Sequence, residues 1–213
     1  MSEVSTNAIP LLHPVTAETV QHYALNAGIL LQNFDVDQYT DAITAMTAIL
    51  ETHMEAGNVF GATKEGITIT EGRETWTPEH NGQRMPYVGE VQHKIARPSI
   101  KGTLVELTPA NIKLASGAAD VAGKDTNKVI IQPRATFLPE DYIKSVTWLT
   151  NYGDKGIIGA TIDNALCTSG LSWSVQDNNI ATAEVTFMGH SASPVFDNKL
   201  PIRYWILLKP KAQ

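Results

Sequence analysis

Between Leu171 and Phe187 the chain changes character at every second residue, and this alternation restricts the fold more than any other feature. Leu171, Trp173 and Val175 alternate with Ser172, Ser174 and Gln176, and Ala183, Val185 and Phe187 alternate with Thr182, Glu184 and Thr186. A period of two gives one apolar and one polar face, the pattern of a strand half-buried in an antiparallel sheet. Asp177-Asn178-Asn179 lies between the runs, and Asn and Asp tolerate left-handed backbone cheaply, so the pair reads as a hairpin. A short apolar strand and an Asn164-Ala165-Leu166 turn precede it. Gly189-His190-Ser191 ends it, and a loop at 194–199 leads into a last strand, Ile202-Arg203-Tyr204-Trp205-Ile206-Leu207.

The rest of the chain gives a mainly β reading with helices at the side. Residues 1–23 lack a period and contain Pro10 and Pro14; they read as an arm that orders against a neighbour. A buried strand is expected over 25–34. Over 37–56, Tyr39, Ile43, Met46, Ile49, Leu50 and Met54 recur at helical spacing, so a helix with these residues, methionines included, in the core is expected. Asp35, Asp37 and Asp41 mark its start and Gly57 its end. An alternating strand follows at 66–71. Residues 77–87, TPEHNGQRMPY, read as a protruding loop, the kind of segment that carries contacts. Strand returns over 90–107, broken at Pro98. Thr108 caps a short helix with Pro109 at its first position and Gly117 at its end. Further strands are expected at 128–134, 142–150 and 157–162. Trp148, Trp173 and Trp205 fall in strand patterns and are expected in the core, Trp76 outside it.

Composition narrows the functional classes. The 213 residues suit one domain, 24–208, flanked by the arm 1–23 and a tail at 209–213. A hydrophobic share of 43% with 18% charge is that of a globular chain, not a disordered one. The single Cys167 leaves no disulfide framework. No apolar run reaches membrane-spanning length, and the first residues lack the pattern of a signal peptide, so synthesis and assembly are expected in the cytoplasm, without a membrane partner. Residues 1–63 hold seven acids, Glu3, Glu18, Asp35, Asp37, Asp41, Glu51 and Glu55, and no Lys or Arg. Tight nucleic-acid binding needs clustered cations, which are missing here. A conduit for DNA also avoids a sticky wall, and the net charge of −6 fits one.

Catalytic patterns fail on spacing. Gly189-His190-Ser191-Ala192-Ser193 lacks the second glycine of a nucleophile elbow and leads into a proline loop, not a helix. Lys64 has neither Walker spacing nor a following Ser or Thr. His13, His22, His53, His80, His93 and His190 form no i, i+4 pair and no HExxH, so no metal or other cofactor is expected. Glu140-Asp141 after Pro139 reads as the start of a helical turn.

Several runs, taken in order, resemble one family. Leu25-Asn26-Ala27-Gly28-Ile29-Leu30-Leu31 is similar to the opening strand of the major tail (tail tube) proteins of long-tailed bacteriophages. Gly61-Ala62-Thr63 is similar to their GAT turn, and Gly102-Thr103-Leu104-Val105-Glu106-Leu107-Thr108-Pro109 resembles their GTLLEFTPE strand-to-helix junction. Ala118-Ala119-Asp120-Val121 and the C-terminal hairpin continue the similarity, which spans most of 24–207 and leaves 37–56 as an insertion. The resemblance implies a β-sandwich or half-barrel with flanking helices, and a non-enzymatic virion protein that stacks as hexameric rings into a tail tube for DNA delivery. It implies tape measure, tail terminator and distal tail proteins as partners, and DNA as a passing occupant that is not held. Within that reading Arg84, Met85 and Tyr87 on the 77–87 loop are the expected contacts with an adjacent ring. Two alternatives stay open: the inner tube of a contractile tail or injection device, and a carbohydrate-binding virion β-sandwich.

Overall fold

A computed structural model describes residues 23–82, 85, 87–125, 127–175, 177–193 and 199–210. Nearly all of the expected arm, Arg84, residues 194–198 and the tail from 211 onward lie outside them. Twelve strands are described: β1 (Ala24–Gln32), β2 (Thr63–Thr70), β3 (Arg73–Trp76), β4 (Gln92–Ala96), β5 (Ser99–Leu104), β6 (Ala119–Asp125), β7 (Lys128–Pro133), β8 (Ile143–Tyr152), β9 (Gly156–Cys167), β10 (Ser172–Ser174), β11 (Thr182–Met188) and β12 (Ile202–Leu208). Two helices accompany them, α1 (Ala42–Ala48) and α2 (Pro109–Ala115). The fold class is mainly β, as the alternation requires.

All strand pairs are antiparallel. The strands β1, β8, β9 and β12 form one layer, and β2, β5, β11 and β10 form the other. The two are one continuous sheet, because β9 pairs β8 and β12 along most of its length and β11 at Leu166 and Cys167. The N–H of Asp163 donates to the Pro201 carbonyl at 3.1 Å, and the His190 N–H donates to the Asp163 carbonyl at 3.1 Å. The end of β11 and the start of β12 therefore meet along one edge of β9. The long strand carries the sheet round from one layer to the other. Two separate ribbons, β3–β4 and β6–β7, stand beside the sandwich.

The core follows from the strand period. Leu30, Val146, Ile162 and Ile202 point from the first layer at Ile100, Leu104, Val185 and Phe187 of the second, and Phe60 packs against Phe187 at 5.2 Å. The opposite face of the first layer is also covered. There Leu31, Leu149 and Ile157 meet Ala42, Ala45 and Ile49, with Phe34 completely buried between them. Thr147 and Thr161, fully buried on this face, bond to each other at 2.8 Å, and the Trp205 indole N–H donates to Thr161 at 3.0 Å. Each hydroxyl is thus satisfied where water cannot reach it.

Several expectations need correction. The 37–56 helix is shorter and broken: a 3-10 turn at Val36–Gln38, then α1, then a π turn at Ile49–His53. Asp35 caps the first turn, and Asp41 caps α1 by accepting the N–H groups of Ile43 and Thr44 at 2.9 Å each. That bond from Thr44 holds the Asp41 carboxyl below the usual carboxylate range. The buried stripe is Ala42, Ala45, Ile49 and His53, while Ile43, Met46, Leu50 and Met54 are exposed. Small Ala42 and Ala45 let the helix backbone come close to Phe34, and the larger side chains turn outward. Burial pushes the His53 imidazole below its ordinary value, and the ring lies 3.4 Å from the Tyr39 hydroxyl. Asn164-Ala165-Leu166 is not a turn. The strand runs through it, with Asn164 at φ 47° and its amide donating to the His190 carbonyl at 3.1 Å. Trp173 is exposed, because its three-residue strand β10 lies at the edge, beyond the sheet's cover.

Candidate self-assembly surfaces

The two outer faces of the sandwich differ in kind. The helix side of the first layer is closed by α1 and the segments beside it. The outer face of the second layer is open. Register places Thr68, Lys101 and Thr186 in one row across it, Lys64, Thr103, Glu184 and Ser172 in another, and Thr70, Ser99 and Met188 in a third. Ser174 and Thr182 continue it at the end. Lys101 and Glu184 form an ion pair across β5 and β11. The result is a hydroxyl-rich wall without a cluster of cations. Strand residues of β-branched threonine type suit such a half-solvated surface. The same residues supplied the polar half of the alternation in the sequence.

The motif runs occupy structural joints. Gly28 takes φ 77° at the irregularity where β1 shifts register against β8. A Cβ there would approach the Leu149 carbonyl to 2.5 Å, so the run Asn26-Ala27-Gly28 has a backbone reason for its glycine. The Ala62 N–H donates to the Glu106 carboxylate at 2.9 Å, which ties the Gly61-Ala62-Thr63 turn to the strand-to-helix junction. Asn111 is buried on α2, and its amide donates to the carbonyls of Phe60 and Glu106 at 2.9 and 2.8 Å. Two distant segments of sequence are thus locked together by one side chain.

The expected loop begins after β3 and runs to β4, so it is longer than 77–87 and carried on its own two-stranded ribbon. Of the expected contact residues, Met85 is 79% and Tyr87 65% exposed; Arg84 lies outside the described residues. Val88 and Val91 are exposed beside them, and Trp76 is exposed at the end of β3 as expected. The sequence reading passed over Val88. Its signal is a valine before Gly89 in a segment with no strand period. It also placed Ile43, Met46, Leu50 and Met54 in the core, where the structure exposes them, because helical spacing alone does not say which stripe is buried.

A cleft of about 740 Å³ lies where the base of the ribbon meets β12, lined by Glu71, Arg73, His93, Asp163, His190, Arg203 and Tyr204 among others. Both of its arginines are paired with carboxylates. Arg203 reaches Asp37 at 2.8 Å and Asp163 at 3.4 Å, and Arg73 reaches Glu71 at 2.5 Å. His190 Nδ1 lies 3.1 Å from the Asn164 carbonyl with Tyr142 edge-on at 5.1 Å, and Ser191 Oγ accepts the Ser193 N–H at 3.3 Å. Among the described residues, no group of three or more His, Cys, Asp or Glu is placed to hold a metal ion. No helix among them is long and apolar enough to cross a membrane.

No protein-family model and no curated protein matches the sequence. Among solved structures, one similar chain belongs to the tail of an empty GTA particle with C6 symmetry. It is 14% identical, the match covers 79% of this chain and 96% of that one, and the TM-score is 0.31. A likeness at that TM-score bears on neither fold nor function, which rest on the residues described above.

Proposed function

We propose that the protein is a structural, non-enzymatic virion component that associates with itself into rings and stacks them into a tail tube through which DNA passes. The observation that carries this reading is the asymmetry of the sandwich. One face is sealed by a helix, and the other is an open sheet rich in Thr and Ser that carries Lys64 and Lys101, the latter paired with Glu184. Such a face suits the wall of a channel for a polyanion. It wets readily, and it lacks the clustered cations that would hold phosphates and slow their passage. The helix then lies on the outside of the tube, away from the channel.

Sheet closure explains the rest. A curved antiparallel sheet with free edges lowers its risk of indiscriminate pairing by closing with copies of itself. Contacts between unlike surfaces that do not close produce a filament. Met85 and Tyr87 on the projecting ribbon are proposed as contacts with the next ring, together with Arg84. Six subunits per ring, the tape measure, terminator and distal tail partners, and assembly in the host cytoplasm follow from the resemblance of the sequence runs.

Cysteine labelling tests the orientation. A Thr68→Cys variant and a Thr47→Cys variant place single accessible thiols on the open sheet and on α1, with native Cys167 buried. In the free subunit both should react with a polymer-tagged maleimide too large to enter a tube. In assembled tubes the thiol at 47 should still react and the thiol at 68 should be protected. The reverse pattern would place the helix in the channel and refute the proposed wall.

A further inference from the structure

The projecting loop contains a buried acid. Glu90 lies among exposed neighbours, yet its side chain is only 2% exposed. Glutamate is seldom buried without a specific partner, because removing a carboxylate from water is costly. Here the carboxylate is turned back on its own loop. Its Oε2 accepts the Tyr87 N–H at 3.1 Å, and the Glu90 N–H donates to the Tyr87 carbonyl at 3.2 Å. Both backbone groups of Tyr87 are therefore held by one residue three positions on. Oε1 lies 3.5 Å from Nε2 of His80, on the other limb of the loop.

The four residues 87–90 form a closed turn. Gly89, at its third position, has φ 93°, the conformation a type II turn demands and a Cβ resists. Val88 at the second position is 101% exposed. A fully exposed valine at the apex of a turn locked from within is a fixed apolar knob, not a slack loop. Locking it in advance removes the ordering cost that a mobile contact would meet on binding.

We infer that Glu90 is a positioning residue: its buried carboxylate holds the 87–90 turn so that Tyr87 and Val88 are presented, pre-formed, to a second copy of this chain. The assembly half of this rests on the proposed tube. The clamp itself does not, and the two are measured separately.

The test compares Glu90→Ala, Glu90→Gln and Glu90→Leu in the full chain. Glutamine retains an acceptor for the Tyr87 N–H, whereas leucine fills similar space without one. Amide hydrogen exchange of the subunit should show Tyr87 exchanging roughly tenfold faster in the alanine and leucine variants. The glutamine variant should stay close to the parent. Equal protection in all four proteins would overturn the clamp, and loss in the glutamine variant as well would overturn the acceptor role. Polymer formation is then read by sedimentation. Slower assembly in the alanine and leucine variants, restored by glutamine, supports the positioning role. Normal assembly in variants with a loosened turn would overturn that role while leaving the clamp. A parent protein that never assembles refutes the tube, and with it the assembly half, whatever the exchange shows.

Discussion

Replacing Phe34 with alanine is expected to cost about 3–5 kcal/mol, the range for deleting a buried phenylalanine. Phe34 is 0% exposed and holds together the whole helix side of the first layer. Its ring stacks on Tyr39 at 5.2 Å and on Trp205 at 5.8 Å, and meets His53 at 5.5 Å. Each aromatic pair adds about 0.5–1.5 kcal/mol beyond the area buried. Against a typical total of about 5–15 kcal/mol, the loss is a large share of stability. For a chain of this size it corresponds to a fall in Tm on the order of 10 °C. Thermal unfolding followed by circular dichroism reads it directly. The control is Leu50→Ala, at a residue 62% exposed on the outward stripe of the same helix region, where a change within about 0.5 kcal/mol is expected. A large loss at Leu50 with little at Phe34 would mean that the helix packs by its other stripe.

Deleting 78–86 is expected to abolish polymerisation while leaving a folded subunit. No described residue of the loop belongs to either core cluster, and its ribbon β3–β4 pairs only with itself among the described strands. Its removal should leave Tm nearly unchanged, since it strips away none of the sandwich's buried apolar surface. It takes with it Met85, and it frees the turn at Tyr87 from its approach. Sedimentation of the shortened protein should show only the slow species at concentrations where the parent assembles. Normal tubes from the shortened chain would sink the assignment of this loop as the contact between rings.

The strands were legible because their side chains report burial every second residue. Ala183, Val185 and Phe187 face the core and Thr182, Glu184 and Thr186 face out, as their alternation requires. The Thr108 cap and Pro109 start of α2 were equally plain, because capping is a local matter of one side chain and its own backbone. The helix at 42–48 was harder. Alanine and isoleucine stripes both fit a helical period, and tertiary packing chose the stripe with Ala42 and Ala45, which allows the closer approach to Phe34. Asn164 misled for a related reason. A turn-forming residue takes a left-handed conformation inside a strand when its side chain and backbone find partners there, in this case at His190. Of the candidate surfaces, the 77–87 loop stood out by its composition. The buried Glu90 did not, because its partner is a backbone N–H that no sequence pattern displays.

The central claim is that copies of this chain build a hollow tube, and electron microscopy of the purified protein across a concentration series tests it most directly. The account predicts hollow tubes of uniform width, or rings with six-fold symmetry as their precursors. Solid fibres without a lumen, or a monomer at every concentration, would contradict it.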